Sequence, residues 1–209
     1  MTAAAPSEPI VFVISGPSGS GKSTLVPKLL ELPNTMFSIS CTTRRPRATE
    51  SAGKWYDFVS EEEFDRMVRE DAFLEYACVF GKHRYGTPRK WLEQARELGM
   101  DLVLEIDVQG AAQIRQKLPH AVTIFIVPPS RAELERRIVG RGQDSPEEIA
   151  RRLERARGEM KSFSQYDFIV VNDDLQRAGR EVQAIGIAAR CRNGHARRIV
   201  ETILESFGG

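Results

Sequence analysis

"IVFVISGPSGSGKSTLVPKLLEL", residues 10–32, decides the fold. Five apolar residues without alternation, Ile10 to Ile14, read as a strand covered on both faces, the kind that parallel sheets use. Glycines follow, and then a helical pattern interrupted by Pro27, which is expected to kink it. Gly16 to Ser23 satisfies G-x-x-x-x-G-K-[ST], and the strand before it and the helix after it are the context that motif requires. Glycines let backbone N–H groups converge on phosphate oxygens, and the helix N-terminus adds positive potential. Lys22 reaches the outer phosphates, and Ser23 is placed to ligate Mg²⁺. A chance glycine-rich turn would lack the flanking strand and helix. Gly16, Pro17, Ser18, Gly19, Ser20, Gly21, Lys22, Ser23 and Thr24 are therefore the expected nucleoside triphosphate site.

Outward from this loop, "DLVLEIDV" (101–108), "AVTIFIV" (121–127) and "FIVV" (168–171) are further buried-strand candidates, each separated from the next by a helical stretch. Helix starts are marked by Ser60 with Glu63, Ser130 with Glu133 and Ser145 with Glu148, all of capping-box spacing, and by Thr87 with Pro88. Strands alternating with helices imply right-handed crossovers and a parallel sheet between helical layers, an α/β fold. Two stretches break the rhythm. From about 37 to 89, "FSISC", "KWYDFV" and "AFLEYACVF" read as strands around one short helix, a small mixed insertion. From about 133 to 157, two arginine-rich helical runs flank a glycine-bounded loop, which is how a mobile lid is built. One domain, 1–209, with these two inserted pieces is expected.

Thirty basic against twenty-nine acidic residues leave a net charge of +1, so no global field favours a polyanion, and any phosphate binding is local. Cys41, Cys78 and Cys191 lack metal-type spacing and suit free thiols in a reducing compartment. "TAAAPSEP" reads as a frayed leader without the basic and apolar regions of a signal peptide. A cytoplasmic protein with neither nucleic-acid nor membrane partners is expected; monomer and homo-oligomer both stay open.

The acceptor must be sought in "SISCTTRRPR", residues 38–47. A nucleic-acid patch, a targeting signal and a small phosphate pocket all fit a basic run. Arg44 and Arg47, flanked by hydroxyls and followed by Tyr56, present two guanidinium forks suited to one dianionic phosphate. Glu75 lies inside an apolar strand pattern, where a carboxylate is costly without a partner; an inter-strand salt bridge or an outward-facing side chain would also explain it. "RYGT" (84–87) adds a phenol and a hydroxyl. Asp107 falls at the carboxyl end of a strand, the edge that carries ligand chemistry in open α/β sheets. No N-K-x-D marks a GTPase.

"GPSGSGKST", "SISCTTRRPR", "GKWYDFV", "FLEYACVFG", "RYGTP", "LEIDVQGA", "PPS", "RGQDSPEEIARRL" and "IVVNDDL" follow one another over about residues 9–185 in a pattern that resembles guanylate kinase, the nucleoside monophosphate kinase acting on GMP. The resemblance implies a P-loop three-layer fold with a mixed GMP-binding insertion and an arginine-rich helical lid. It also implies direct phosphoryl transfer from ATP to GMP, and to dGMP, with Mg²⁺. It puts Arg44, Arg47, Tyr56 and Tyr85 on the GMP phosphate and Ser40, Glu75, Thr87 and Asp107 around guanine. Arg137, Arg141 and Arg152 join Lys22 and Arg44 as catalytic residues at the transferring group, and Asn172 falls near adenine. Arg151, Arg155 and Arg157 are expected to be surface charges. Three departures stand out: a longer 81–86 turn, with His83 and Arg84 at the rim of the guanine pocket; Cys41 where a hydroxyl is common; and a basic C-terminal stretch. A sugar-phosphate kinase for ribose 1,5-bisphosphate would share the loop, and a kinase-like scaffold module would share the fold with a degraded loop.

Overall fold

The structure is a computed structural model that describes residues 8–46, 51–79, 83–140 and 145–207, the side chains of 193–199 excepted. Five parallel strands form its centre, in the order β2-β7-β1-β8-β9. They are β1 (Val11–Ser15), β2 (Thr35–Phe37), β7 (Asp101–Glu105), β8 (Val122–Val127) and β9 (Phe168–Val171). Alternation along β1 shows why its run is apolar throughout. Phe12 and Ile14 pack toward α1 (Lys22–Leu30) and α7 (Leu175–Arg190) with Leu25, Leu29 and Val182. Val11 and Val13 pack toward α3 (Lys90–Leu98) and α4 (Val108–Lys117) with Leu92 and Ile114. A three-layer sandwich results, as the sequence leads one to expect. Helix α1 continues through Pro27, whose missing N–H falls where Ser23 would have received it, one turn from the helix start.

A second sheet, order β4-β3-β6-β5, stands off this core. It contains β3 (Ser40–Thr42), β4 (Tyr56–Phe58), β5 (Phe73–Val79) and β6 (His83–Pro88), and α2 (Glu61–Arg69) covers one face. Two expectations need correction here. "FSISC" is not one strand: Phe37 pairs with Val103 in the central sheet, and after Ser38 and Ile39 the chain joins the small sheet at Ser40. The Thr87–Pro88 pair does not start a helix, because it closes β6, with Pro88 opposite Phe73, and α3 begins only at Lys90. The edge of the ladder tolerates the proline, and the Thr87 hydroxyl is bonded elsewhere, so it cannot cap.

The other helix starts follow the sequence. Ser60, Ser130 and Ser145 each accept from the backbone N–H three residues on, and Ser145 with Glu148 makes the complete reciprocal box. These caps open α2, α5 (Arg131–Val139) and α6 (Pro146–Met160). Helices α5 and α6, which span the stretch expected to be a lid, share a small apolar contact of Leu134, Ile138 and Ala156. A last helix, α8 (Asn193–Ser206), follows α7. Among the described residues no helix is long and apolar enough to cross a membrane.

Candidate active site

The carboxyl ends of the central strands carry a cleft of about 400 Å³, with the phosphate loop at one end and the small sheet at the other. Gly16, Gly19 and Gly21 take φ of 142°, 91° and 97°, values that a side chain resists. A methyl group on Gly16 would strike the Ile126 carbonyl, and one on Gly21 would strike the Asn172 amide. Within the loop, Ser20 N–H donates to Pro17 O (3.1 Å) and Thr24 N–H to Gly21 O (3.1 Å), holding the turn that leads into α1. Lys22 Nζ donates to the Gly16 and Pro17 carbonyls at 2.7 and 3.1 Å, so its ammonium lies folded over the loop.

Two of the expected residues brace the loop from behind. Asn172 is buried, and its Nδ2 donates to Ser20 O at 2.8 Å. Arg137 donates to the Ser20 and Asn172 carbonyls at 3.3 and 2.8 Å, while hydrogen bonds from Arg136 and Arg137 hold the Glu133 carboxyl down to about 2. Neither Arg137 nor Asn172 lines the cleft. Glu105, which sequence reasoning passed over, does: its Oε1 accepts from the Ser23 hydroxyl at 2.9 Å. The available signal was a carboxylate ending the apolar run "DLVLE", on the strand next to β1.

At the other end, Arg44 leaves β3 and its Nε donates to the Tyr85 hydroxyl at 3.2 Å. Its guanidinium lies 5.7 Å from the Tyr56 ring and 5.6 Å from Phe58, and Tyr56 meets Tyr85 edge to face at 5.7 Å. One guanidinium and two phenols thus converge. Arg45 is exposed and contributes its carbonyl to Arg44 Nη1 at 2.8 Å. Arg47 lies outside the described residues. Arg84 is not at the pocket rim. Successive strand residues face opposite ways, so with Tyr85 in the cleft Arg84 points to α2, pairing with Glu61 and Asp65 at 2.6 Å each and lying 4.5 Å over Phe64. Neither Arg84 nor His83 lines the cleft. Cys41 faces the apolar contact with Phe64 and Phe73, which accommodates a thiol, and burial pushes that thiol up to about 11.

No ion pair to Glu75 is seen among the described residues, and it is 3% exposed and faces the cleft, so it is not outward-facing. A β-bulge between Phe73 and Glu75 is the cause. The extra residue reverses the alternation, leaving Phe73 and Tyr76 with Phe64 on one face and Glu75, Ala77 and Val79 on the cleft side. Thr87, directly across the ladder, donates its hydroxyl to Glu75 Oε1 at 2.6 Å. It is fully buried behind Glu75 and does not itself line the cleft. Desolvation, reinforced by the charge of Asp107 and opposed by the Thr87 hydrogen bond, raises the Glu75 carboxyl to about 7. Ser40 lines the same end.

Asp107 caps α4, its Oδ1 accepting from Gln109 and Gly110 N–H at 3.0 and 2.9 Å. Helix α4 in turn holds β5 by Gln113 Nε2 to Tyr76 O and Lys117 Nζ to Leu74 O, both 2.7 Å. Gly110 permits the approach, since a methyl there would collide with Glu75 Oε2. From the lid, Arg152 Nη2 donates to Ser18 Oγ at 2.8 Å. Arg141 lies outside the described residues. Arg151 and Arg157 are exposed as expected, but Arg155 is not a surface charge: it reaches Asp107 Oδ2 at 3.3 Å and Glu159 Oε1 at 2.6 Å and lines the cleft.

Compared with known proteins, residues 8–188 match the family model described as Guanylate kinase. The chain belongs to the guanylate kinase family. Guanylate kinase of Escherichia coli K12 is 50% identical over 185 residues, covering 87% of this chain and 89% of its own. That of Yersinia pestis bv. Antiqua is 49% identical over 200 residues, covering 94% and 96%. The crystal structure of guanylate kinase from Anaplasma phagocytophilum superposes with a TM-score of 0.78 at 36% identity, covering 94% of this chain and 95% of that one. Guanylate kinases catalyse ATP-dependent phosphorylation of GMP to GDP. In this chain one cleft has a phosphate loop at one end and, across from it, an arginine, phenols and a buried carboxylate.

Proposed function

We propose that this chain phosphorylates GMP, and also dGMP, with the cleft holding ATP at the phosphate loop and the monophosphate against the small sheet. Buried Glu75 carries the reading. Guanine offers N1–H and a 2-amino group to a carboxylate, whereas adenine offers neither donor there, and a mispaired base would leave a buried charge unsatisfied. Thr87 orients that carboxylate; Ser40 and Asp107 complete the base end. Arg44, with the Tyr85 and Tyr56 hydroxyls, takes the acceptor phosphate, and Arg47 is proposed to join it. The proposed contacts go to base and phosphate, groups that GMP and dGMP share.

No general base is needed, because a phosphate monoester with a second pKa of ~6 is already largely ionised near neutral pH. The obstacle is repulsion between two polyanions. Lys22 faces the donor phosphates, Arg44 the acceptor and Arg152 the space between, so catalysis is positioning plus electrostatic stabilisation. Arg141 is proposed to act with Arg152, while Arg137 and Asn172 hold the loop in shape, Asn172 on the side expected for adenine. The Ser23 hydroxyl beside the Glu105 carboxylate, 2.9 Å apart, is a hard oxygen pair of the kind Mg²⁺ accepts along with substrate phosphates. When bound there, Mg²⁺ would neutralise phosphate charge. Closure of α5 and α6 keeps water from taking the phosphoryl group. The exposed thiols of Cys78 and Cys191, both free, suit the reducing cytoplasm, where purine nucleotide metabolism would use this activity.

ADP release assayed with GMP, dGMP, AMP and ribose 1,5-bisphosphate tests the reading. GMP and dGMP should turn over, with AMP disfavoured by ~10⁴-fold. Turnover of the sugar phosphate without turnover of GMP would overturn it.

A further inference from the structure

Helix α6 touches both ends of the cleft through two arginines three residues apart, and residues so spaced lie on one helix face. Arg152 meets Ser18 of the phosphate loop at 2.8 Å. Arg155 meets Asp107, the cap of α4 at the acceptor end, at 3.3 Å, and Glu159 of its own helix at 2.6 Å. The Arg155 side chain is 23% exposed and those of its two partners 20% and 10%, so this bridge is not a solvated surface pair. Its geometry is also specific, because a planar guanidinium can serve two carboxylates at once while an ammonium is a single point charge.

We propose that Arg155 is a positioning residue for the phosphoryl transfer: by docking α6 on Asp107 it sets the lid across the acceptor site and so delivers Arg152 to the phosphate loop. Arg155 acts through Asp107 and Arg152, and contact with substrate is not required of it. The bridge fixes α6 at the acceptor end, and the helix, being stiff over one turn, transmits that placement to Arg152. The inference rests on the acceptor reading of the small-sheet end of the cleft.

The test compares wild type, Arg155→Gln and Arg155→Lys with exposed Arg151→Gln as control, measuring kcat and KM for GMP and, separately, ATP affinity without GMP. Arg155→Gln should lower kcat/KM for GMP by about tenfold while ATP affinity and the thermal midpoint stay near wild type. Arg155→Lys should recover part of the loss, and Arg151→Gln should match wild type. On an Asp107→Asn background, Arg155→Gln should add little, because the two act as one unit. Wild-type constants in Arg155→Gln, a full additional loss on the Asp107→Asn background, or a parallel fall of ATP affinity and stability would each overturn the proposal. If wild type itself fails to phosphorylate GMP, the acceptor reading falls instead.

Discussion

A carboxyl group brought from water to the position of Glu75 loses its hydration and gains one hydroxyl hydrogen bond in return, from Thr87. On the proposed reading, the site keeps this unfavourable placement for a base that brings its own donors. A pH dependence follows. The carboxyl sits at about 7 in the folded chain against an ordinary 4.5, so the folded chain binds more protons across that interval. Stability from this group is complete below the lower value and is lost as pH rises through the higher one, on the order of 3 kcal/mol in all. Glu75→Gln should remove that decline, leaving the free protein more stable than wild type near pH 8 and weaker in binding GMP. Urea titrations between about pH 5 and 8 check this, and parallel slopes for the two proteins would refute it. Position 75 was legible as an oddity, a charge in an apolar run. Its orientation was not, because that depends on a bulge that no residue pattern in "AFLEYACVF" announces.

At the scale of elements, β6 divides its labour by alternation. Tyr85 faces the cleft and steadies Arg44, while Arg84 faces away and ties α2 to the sheet. Neighbours in sequence should therefore give opposite phenotypes. Tyr85→Phe should raise KM for GMP by about tenfold with little change in stability. Arg84→Met, which keeps the apolar stem, should cost only about 1 kcal/mol, because Glu61 and Asp65 are half exposed. Hydrogen exchange should then quicken in α2 while kcat stays within about twofold of wild type. Loss of activity in Arg84→Met with unchanged exchange would put that arginine back in the site. Helix starts at Ser60, Ser130 and Ser145 could be read directly, since a cap and its partner lie three residues apart. Thr87 misled because its hydroxyl had a partner across the ladder, and Arg155 because a helical charge run looks alike whether it faces water or a cleft.

At the scale of the whole molecule, three units meet at one cleft: the central sheet supplies the loop, the small sheet the end proposed for the acceptor, and α5 with α6 the helices proposed to close over it. Polar contacts such as Arg152 to Ser18 and Arg155 to Asp107 join them, together with a few apolar ones, Leu74 of β5 and Met160 of α6 packing on the central core. The small sheet and the helix pair also carry apolar clusters of their own, which is how inserted pieces move as bodies. A bisubstrate analogue spanning both ends should draw them together and lower the radius of gyration by about 1 Å, measured by small-angle scattering. An unchanged scattering profile at saturation would count against closure.

The sequence by itself determined the phosphate loop and the parallel α/β core, because the loop's chemistry lies within eight consecutive residues and buried strands declare themselves by composition; the kinase reading came from the resemblance its ordered motifs bear to guanylate kinase. Only the tertiary structure decided that Glu75 turns inward, that Glu105 meets Ser23 from 82 positions away and that Arg155 crosses 48 positions to Asp107. Those outcomes depend on ladder register and on where helices land against a sheet, which are properties of packing rather than of any local run of residues.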